Sequence, residues 1–249
     1  CKAQADAPSG VRRGGVELET GFSLKVLGES EPLEVLGTAL PLANVTKVEI
    51  EHRVATGWRK FWALKRLLLH KGVSVTRRLR LFDATVGGCV LYGSSSWTPR
   101  AEETRFLQVA QNKMLRQICG YRRAPEEQWL DWIRRTTRRA RAKARTVHVR
   151  DWREAHAQRK WSWAGHVWRM SSSTWVWRAT FWRDSEWTRD VKNDGGRLKR
   201  PSCSRRMKWE DSMRRYAASQ SVRCWTGMAG NRESWLSHMN SFTTWFAVG

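Results

Sequence analysis

From residue 44 onward the apolar positions recur with a helical period, and before it they do not. Residues 1–20 are rich in Gly, Ala and Arg, with Ser9-Gly10-Val11-Arg12-Arg13-Gly14-Gly15 in their middle, and they predict a flexible lead-in. Two short apolar runs follow, over 22–27 and 33–36, closed by Gly28 and Gly37. Gly-bounded runs of that length predict short strands across 21–43, as a β-hairpin or a sheet edge. The first helical stripe is Ile50, Val54, Trp58, Phe61 and Leu68, with the Lys65 stem filling its gap. Asn44 or Thr46 is placed to cap its start and Gly72 its end. A second stripe, Val75, Leu79, Phe82, Val86 and Val90, follows Ser74 and is weakened at its end by Gly87-Gly88. A third helix reads from Thr98 as N-cap and Pro99 as first residue, through Leu107, Ala110, Met114 and Ile118, to Gly120. Together these predict a helical bundle over 44–120.

A fourth helix is predicted to open at Pro125-Glu126-Glu127 and pass Trp129, Trp132 and Ile133. It then enters a run without an acidic residue: Arg134, Arg135, Arg138, Arg139, Arg141, Lys143 and Arg145. Like charges at i,i+4 repel, so such a helix is destabilised unless an anion neutralises it; a solvated helix face is the plainer alternative. Over 148–170 the wheel is apolar on two sides, with Val149, Trp152, His156, Trp163, Val167 and Met170 on one and Trp161, Ala164 and Trp168 opposite. That pattern predicts a helix sandwiched between elements or broken near Gly165. The segment 121–170 is therefore expected to be a basic, Trp/Arg-rich helical arm. Beyond it, Ser171-Ser172-Ser173 and Asn193-Asp194-Gly195-Gly196 punctuate a Trp/Arg-rich region, 171–249, expected to be irregular apart from a helix over about 206–218. The last thirty residues show no clear period, and no internal repeat is visible.

The charge balance changes what this helical chain is for. Among 249 residues, 46 Lys+Arg face 23 Asp+Glu, a net +23, while 41% hydrophobic content excludes a disordered basic tail. Self-repulsion on that scale is tolerated when a polyanion neutralises it, and nucleic acid or an anionic membrane surface are the candidates. Seventeen Trp against three Tyr fit core packing, base stacking or a bilayer interface. Cys1, Cys89, Cys119, Cys203 and Cys224 are scattered, without a CxxC pair or zinc-knuckle spacing. They read as reduced thiols in an intracellular, non-secreted protein. The sequence holds no stretch of about 20 apolar residues such as a membrane span needs. It begins at Cys1, which fits an excerpt of a longer reading frame.

Catalytic chemistry is poorly represented. The adjacent acidic pairs are Glu102-Glu103, Glu126-Glu127 and Glu210-Asp211, and the first two sit where helix N-termini favour negative charge. No Asp-Asp pair, phosphate-cradling GxxxxGK[ST] loop, GxSxG elbow or HExxH pair occurs. His166, among tryptophans, is more readily structural or a phosphate contact than a general base. No catalytic or cofactor-binding residue is assigned.

Several local patterns nevertheless stand in a familiar order: LEVLGTAL (33–40), Glu49-Ile50 and Arg53-Val54 ahead of Phe61, RLRLFDATVGGCVLYGSSSWT (78–98), QNKMLRQICG (111–120), KWSWAGHVWRM (160–170) and GRLKRPSCSRRMKWED (196–211). This series resembles the region that follows the palm in reverse transcriptases of non-LTR, LINE-type retrotransposons. KWSWAGHVWRM is similar to their W-x-GH-x-x-R-M signature, and 196–211 to their G-R-P…R-W-x-D segment, with extra residues between Pro201 and Trp209. The family's aromatic-x-Asp-Asp turn, which holds the metal ions, is absent here, as is the Cys/His knuckle of some members.

The resemblance implies the last palm strands, a helical thumb and a downstream arm of an RNA-directed DNA polymerase, with Mg²⁺ expected only with the missing palm. A thumb grips a template–primer duplex through its backbone. Arg53, Arg59, Lys60 and Arg66 on the first helix, with the 134–145 run, His166 and Arg169, are the expected contacts. RNA or DNA and the N-terminal polymerase part are the expected partners, in a nuclear or cytoplasmic ribonucleoprotein. Three readings stay open beside it: an unrelated RNA- or DNA-binding protein, a membrane-surface protein, and a decayed element copy.

Overall fold

The computed structural model describes the backbone of 16–17 and 23–24, and residues 31–41, 44–181 and 209–248. It is mainly α-helical, with small antiparallel β-ribbons ahead of the helices. Contacts divide the chain into two compact units, 1–52 and 53–249.

In the first unit β1 (Val16–Glu17) pairs with β2 (Ser23–Leu24), so the lead-in expected over 1–20 contains a strand. β3 (Leu33–Val35) pairs antiparallel with β4 (Thr38–Leu40), Leu33 opposite Leu40. Leu36 and Gly37 link them with φ of 50° and 76°. Two successive positive φ values give the two-residue turn whose twist suits a hairpin. Ala39 is buried, and its N–H donates to Glu49 Oε2 at 2.7 Å, so a polar residue ahead of the first apolar stripe has a structural task.

Helix α1 spans Val45–Ala63, with the Asn44 carbonyl accepting from Val48 N. The single helix expected to reach Gly72 is interrupted at Leu64, and α2 (Lys65–Leu68) follows. Helix α3 (Val75–Phe82), capped by Ser74, runs into a π-helical turn (Asp83–Gly87) and α4 (Gly88–Val90). Gly57 is where Val90 approaches α1: a Cβ there would strike the Val90 side chain. The third helix, α5 (Ala101–Cys119), starts two residues later than Thr98 and Pro99 predicted, with Glu103 accepting from Arg100 N at 2.6 Å. Trp97 explains the delay: it is buried, stacked on His156, and its carbonyl is taken by Lys160, which holds the chain ahead of the helix extended. Similarly α6 (Trp129–Thr146) starts after Glu127, whose carboxylate is committed to Arg135.

Helix α7 (Trp152–Trp168) is continuous through Gly165, so of the two expectations the sandwiched helix holds. Trp161 and Trp235 stack with planes 1° apart and centroids 3.6 Å apart. Each indole N–H donates to the other residue's carbonyl, at 2.8 and 2.9 Å. Gly165 is required for this closeness, because a Cβ would collide with the Trp235 ring. Trp163 departs from its predicted core face and reaches solvent.

The region beyond 170, expected to be irregular, forms α8 (Trp175–Phe181), α9 (Asp211–Ser219), α10 (Trp225–Gly230), α11 (Arg232–Ser237) and α12 (Met239–Val248). The helix expected from 206 thus begins at 211, and 193–196 lies outside the described residues. A second core forms here around Trp161, Met213, Tyr216, Trp225, Trp235 and Phe242. These helices are six to ten residues long. That is too short to show a period, and tertiary burial of aromatic rings holds them instead.

Candidate nucleic-acid interface

Helix α6 lies on α5 through Thr136, Ala140 and Ala144, small residues that let the backbones approach. That seat turns two rows of cations outward. Arg134, Arg138, Arg141 and Arg145 follow one another at i+4, i+3 and i+4, and Arg135, Arg139 and Lys143 at i+4. The first row extends about 16 Å along the helix, the rise of roughly five phosphates of one strand.

Not all seven are available. Arg135 makes a bidentate pair with Glu127 at 2.6 Å to each oxygen, and this hydrogen bonding holds the Glu127 carboxyl below its usual range. Arg141 reaches Asp151 at 3.1 Å. Arg134 meets Asp131 at 3.5 Å, but both side chains are largely exposed, so the pair is weak. Arg138, Arg139, Lys143 and Arg145 are exposed and make no ion pair with a described residue, Arg139 lying 6.0 Å over the Tyr121 ring. Five cations therefore face solvent within three turns.

The expected contacts on α1 and α2 divide. Arg59, Lys60 and Arg66 are exposed, Arg59 donating to Thr56 Oγ1. Arg53 is buried, 6% exposed, with its guanidinium 4.5 Å over Tyr92. It is a packing residue, contrary to its expected place among the surface contacts. Beside Arg59, two stacked rings form a platform that the sequence does not reveal: Trp58 and Trp62, 6.1 Å apart, with Lys113 over the first and Lys65 over the second. Trp62 is half exposed. The helical period places Trp58 on the core stripe, and nothing in spacing links Lys113 to it.

The motif around α7 also separates by role. Trp161, Ala164, Gly165 and Val167 are buried. Trp163 and His166 are exposed, 5.7 Å apart, on an open cleft of about 590 Å³ shared with Gln158, Arg159 and Ser94. Arg169, expected at the surface contact, donates to the Ala229 carbonyl at 2.8 Å and ties α7 to α10. Other cations serve the fold the same way. Arg78 is buried and donates to the carbonyls of Ile118, Val73 and Leu68 at 2.6, 2.9 and 3.3 Å, closing the end of α5. Lys160 donates to Trp97 O at 3.0 Å, and burial pushes its amine down to about 7. His156, enclosed by Trp97 and Phe246, is pushed down to about 3 by burial and then by the Lys160 charge.

Among the described residues no three of His, Cys, Asp and Glu gather, so these residues do not fit a polymerase's magnesium ions. No described helix is long and apolar enough to cross a membrane.

With that geometry in hand, one curated relative stands out: an uncharacterized transposon-derived protein of Caenorhabditis elegans, 27% identical over 217 residues, covering 84% of this chain and 70% of the relative. The chain is similar to a transposon-derived protein. No family model and no solved structure matches it. The similarity suggests a transposon origin for a chain whose described part is a helical, cation-bearing fold.

Proposed function

We propose that this chain is the nucleic-acid-gripping portion, downstream of the palm, of a LINE-type reverse transcriptase, acting on a template–primer duplex without a polymerase site of its own. The observation that carries the reading is the α6 surface: five cations on two adjacent rows, on a helix whose other face is closed by α5. Such an array neutralises a phosphate backbone without reading its sequence. The transposon-derived relative supports the setting, and the ordered motifs support the polymerase family. In this reading the Trp58–Trp62 platform stacks on unpaired bases. Arg59, Lys60 and Arg66 add backbone contacts, and the Trp163–His166 cleft, with Arg159 on its wall, takes a further phosphate. The magnesium ions, the Asp-Asp turn and the fingers belong to the N-terminal partner segment, and the assembly is an intracellular ribonucleoprotein.

The test is fluorescence anisotropy of the chain with a labelled RNA–DNA hybrid across a salt series. A slope of log K against log salt of about −5 or steeper is expected, at roughly 0.9 per phosphate contact. A flat slope, or a steep one unchanged by Arg138→Gln with Arg145→Gln, refutes the α6 grip. A polymerase assay on the chain joined to a palm from a related reading frame separates the thumb from a stand-alone RNA- or DNA-binding protein. Co-sedimentation with anionic vesicles, expected to be negligible at physiological salt, tests the membrane alternative.

A further inference from the structure

Apart from the α6 face, a second cationic concavity of about 520 Å³ opens between the start of α5, α9 and α12. Arg100 and Arg105 line it from α5, Arg153 from α7 and Arg215 from α9, while Trp245 and Phe246 supply an aromatic wall. No lining residue is acidic. Arg153 is braced, donating to the Ala247 carbonyl at 3.2 Å and to Asp151 at 3.4 Å. Arg100, Arg105 and Arg215 form no ion pair with a described residue. Glu103 accepts from the Arg100 backbone N–H, and Arg215 Nε donates to the Asp211 backbone carbonyl at 3.4 Å.

Arg100, Arg105 and Arg215 share the concavity without an ion-paired carboxylate, beside the Asp151-paired Arg153, and an anion there relieves their mutual repulsion. Guanidinium forks match the oxygens of a phosphate, and Trp beside Phe offers a flat apolar surface of the size of a base. We propose that this groove binds a nucleotide 5′-phosphate together with its base, the phosphate between Arg100, Arg105 and Arg215 and the base against Trp245 and Phe246. The source is a free mononucleotide or the phosphorylated 5′ end of a strand. The site is distinct from the α6 grip: that surface follows a backbone, and this one takes a single unit.

The experiment uses the full chain. Binding of AMP and of adenosine is measured by calorimetry, and binding of a labelled single-stranded oligonucleotide with a 5′-phosphate or a 5′-hydroxyl by anisotropy. Each is repeated on Arg105→Glu/Arg215→Glu and on Arg138→Glu/Arg145→Glu. AMP is expected to bind at least about tenfold tighter than adenosine, the worth of one or two charge-assisted hydrogen bonds. That preference disappears in the groove variant and survives in the α6 variant. A matching preference for the phosphorylated oligonucleotide identifies the strand end as the source, and its absence with AMP binding intact identifies the free nucleotide. Equal binding of AMP and adenosine, or an AMP preference untouched in the groove variant, overturns the proposal. If the charge reversal does not fold, Arg105→Gln/Arg215→Gln replaces it, with melting temperature as the control. Loss of hybrid binding alone sinks the α6 grip and leaves the AMP result to judge the groove.

Discussion

Helices α6 and α7 are neighbours in the chain, nearly equal in length at 18 and 17 residues, and both rich in Arg, yet they use charge in opposite ways. On α6 the cations point away from a seat of Thr and Ala, and most meet no carboxylate. On α7 they point inward or along the protein: Lys160 to the Trp97 carbonyl, Arg159 to that of Leu91, Arg153 to that of Ala247. The difference lies in what surrounds each helix. α7 is packed by α5, α10, α11 and α12, so carbonyls at chain reversals fall within reach of its long side chains. α6 packs on α5 alone to a comparable extent, which leaves its other side to water. A formal charge of +23 therefore overstates the anion-binding surface, because part of it serves as internal hydrogen-bond donors.

Changes on α7 and its partners should move stability, and changes on α6 should move binding. The largest effect is expected for Trp161→Ala, which removes a fully buried ring, its stacking on Trp235 and the hydrogen bond its indole donates to the Trp235 carbonyl, and should cost roughly 3–5 kcal/mol in chemical denaturation. Arg78→Met, which orphans the carbonyls of Ile118 and Val73, should cost about 2–4 kcal/mol while the salt slope of hybrid binding stays the same. A changed slope would place Arg78 in the footprint.

Titration sharpens the contrast further. His156 is held neutral down to about pH 3, whereas the unfolded chain takes up that proton near 6.5. Unfolding stability should thus fall as pH drops from 6.5 to 3, approaching about 1.4 kcal/mol per unit, and His156→Gln should flatten that limb. Lys160, pushed down to about 7 from 10.5, has the same sign at higher pH: stability rises between those values, and Lys160→Met should remove the rise. The smallest stability change is expected for Arg138→Gln with Arg145→Gln, within about 0.5 kcal/mol per site, while the salt slope should shallow by roughly 1.8. A stability loss comparable to that of Arg78→Met would show that α6 is not a free face.

Hydrophobic period carried the sequence reading well where helices are long and one-sided. The stripes through Phe61, Phe82 and Met114 are buried except at Trp58 and Val75, which are half-buried, and the basic run does occupy one helix. The period fails where burial is two-sided. On α7 it could not tell Trp161, locked in the core, from Trp163, two residues away and exposed, because both faces carry aromatics. It fails again for Arg53, since a buried cation lying over a ring has no signature along the chain. The 520 Å³ groove was invisible for a simpler reason: Arg100, Arg153 and Arg215 stand more than fifty positions apart in sequence and meet only through tertiary packing.

The paired indoles of Trp161 and Trp235 join positions 74 residues apart, and the stretch where Pro201 and Trp209 are spaced unusually widely falls inside the interval they close. Met213, Tyr216 and Trp225 lie within that interval and pack on the same core, so loss of either indole or a side chain at Gly165 should loosen contacts contributed by distant parts of the chain together. The lock thus acts as a single clasp on which residues far apart in sequence depend for their shared burial.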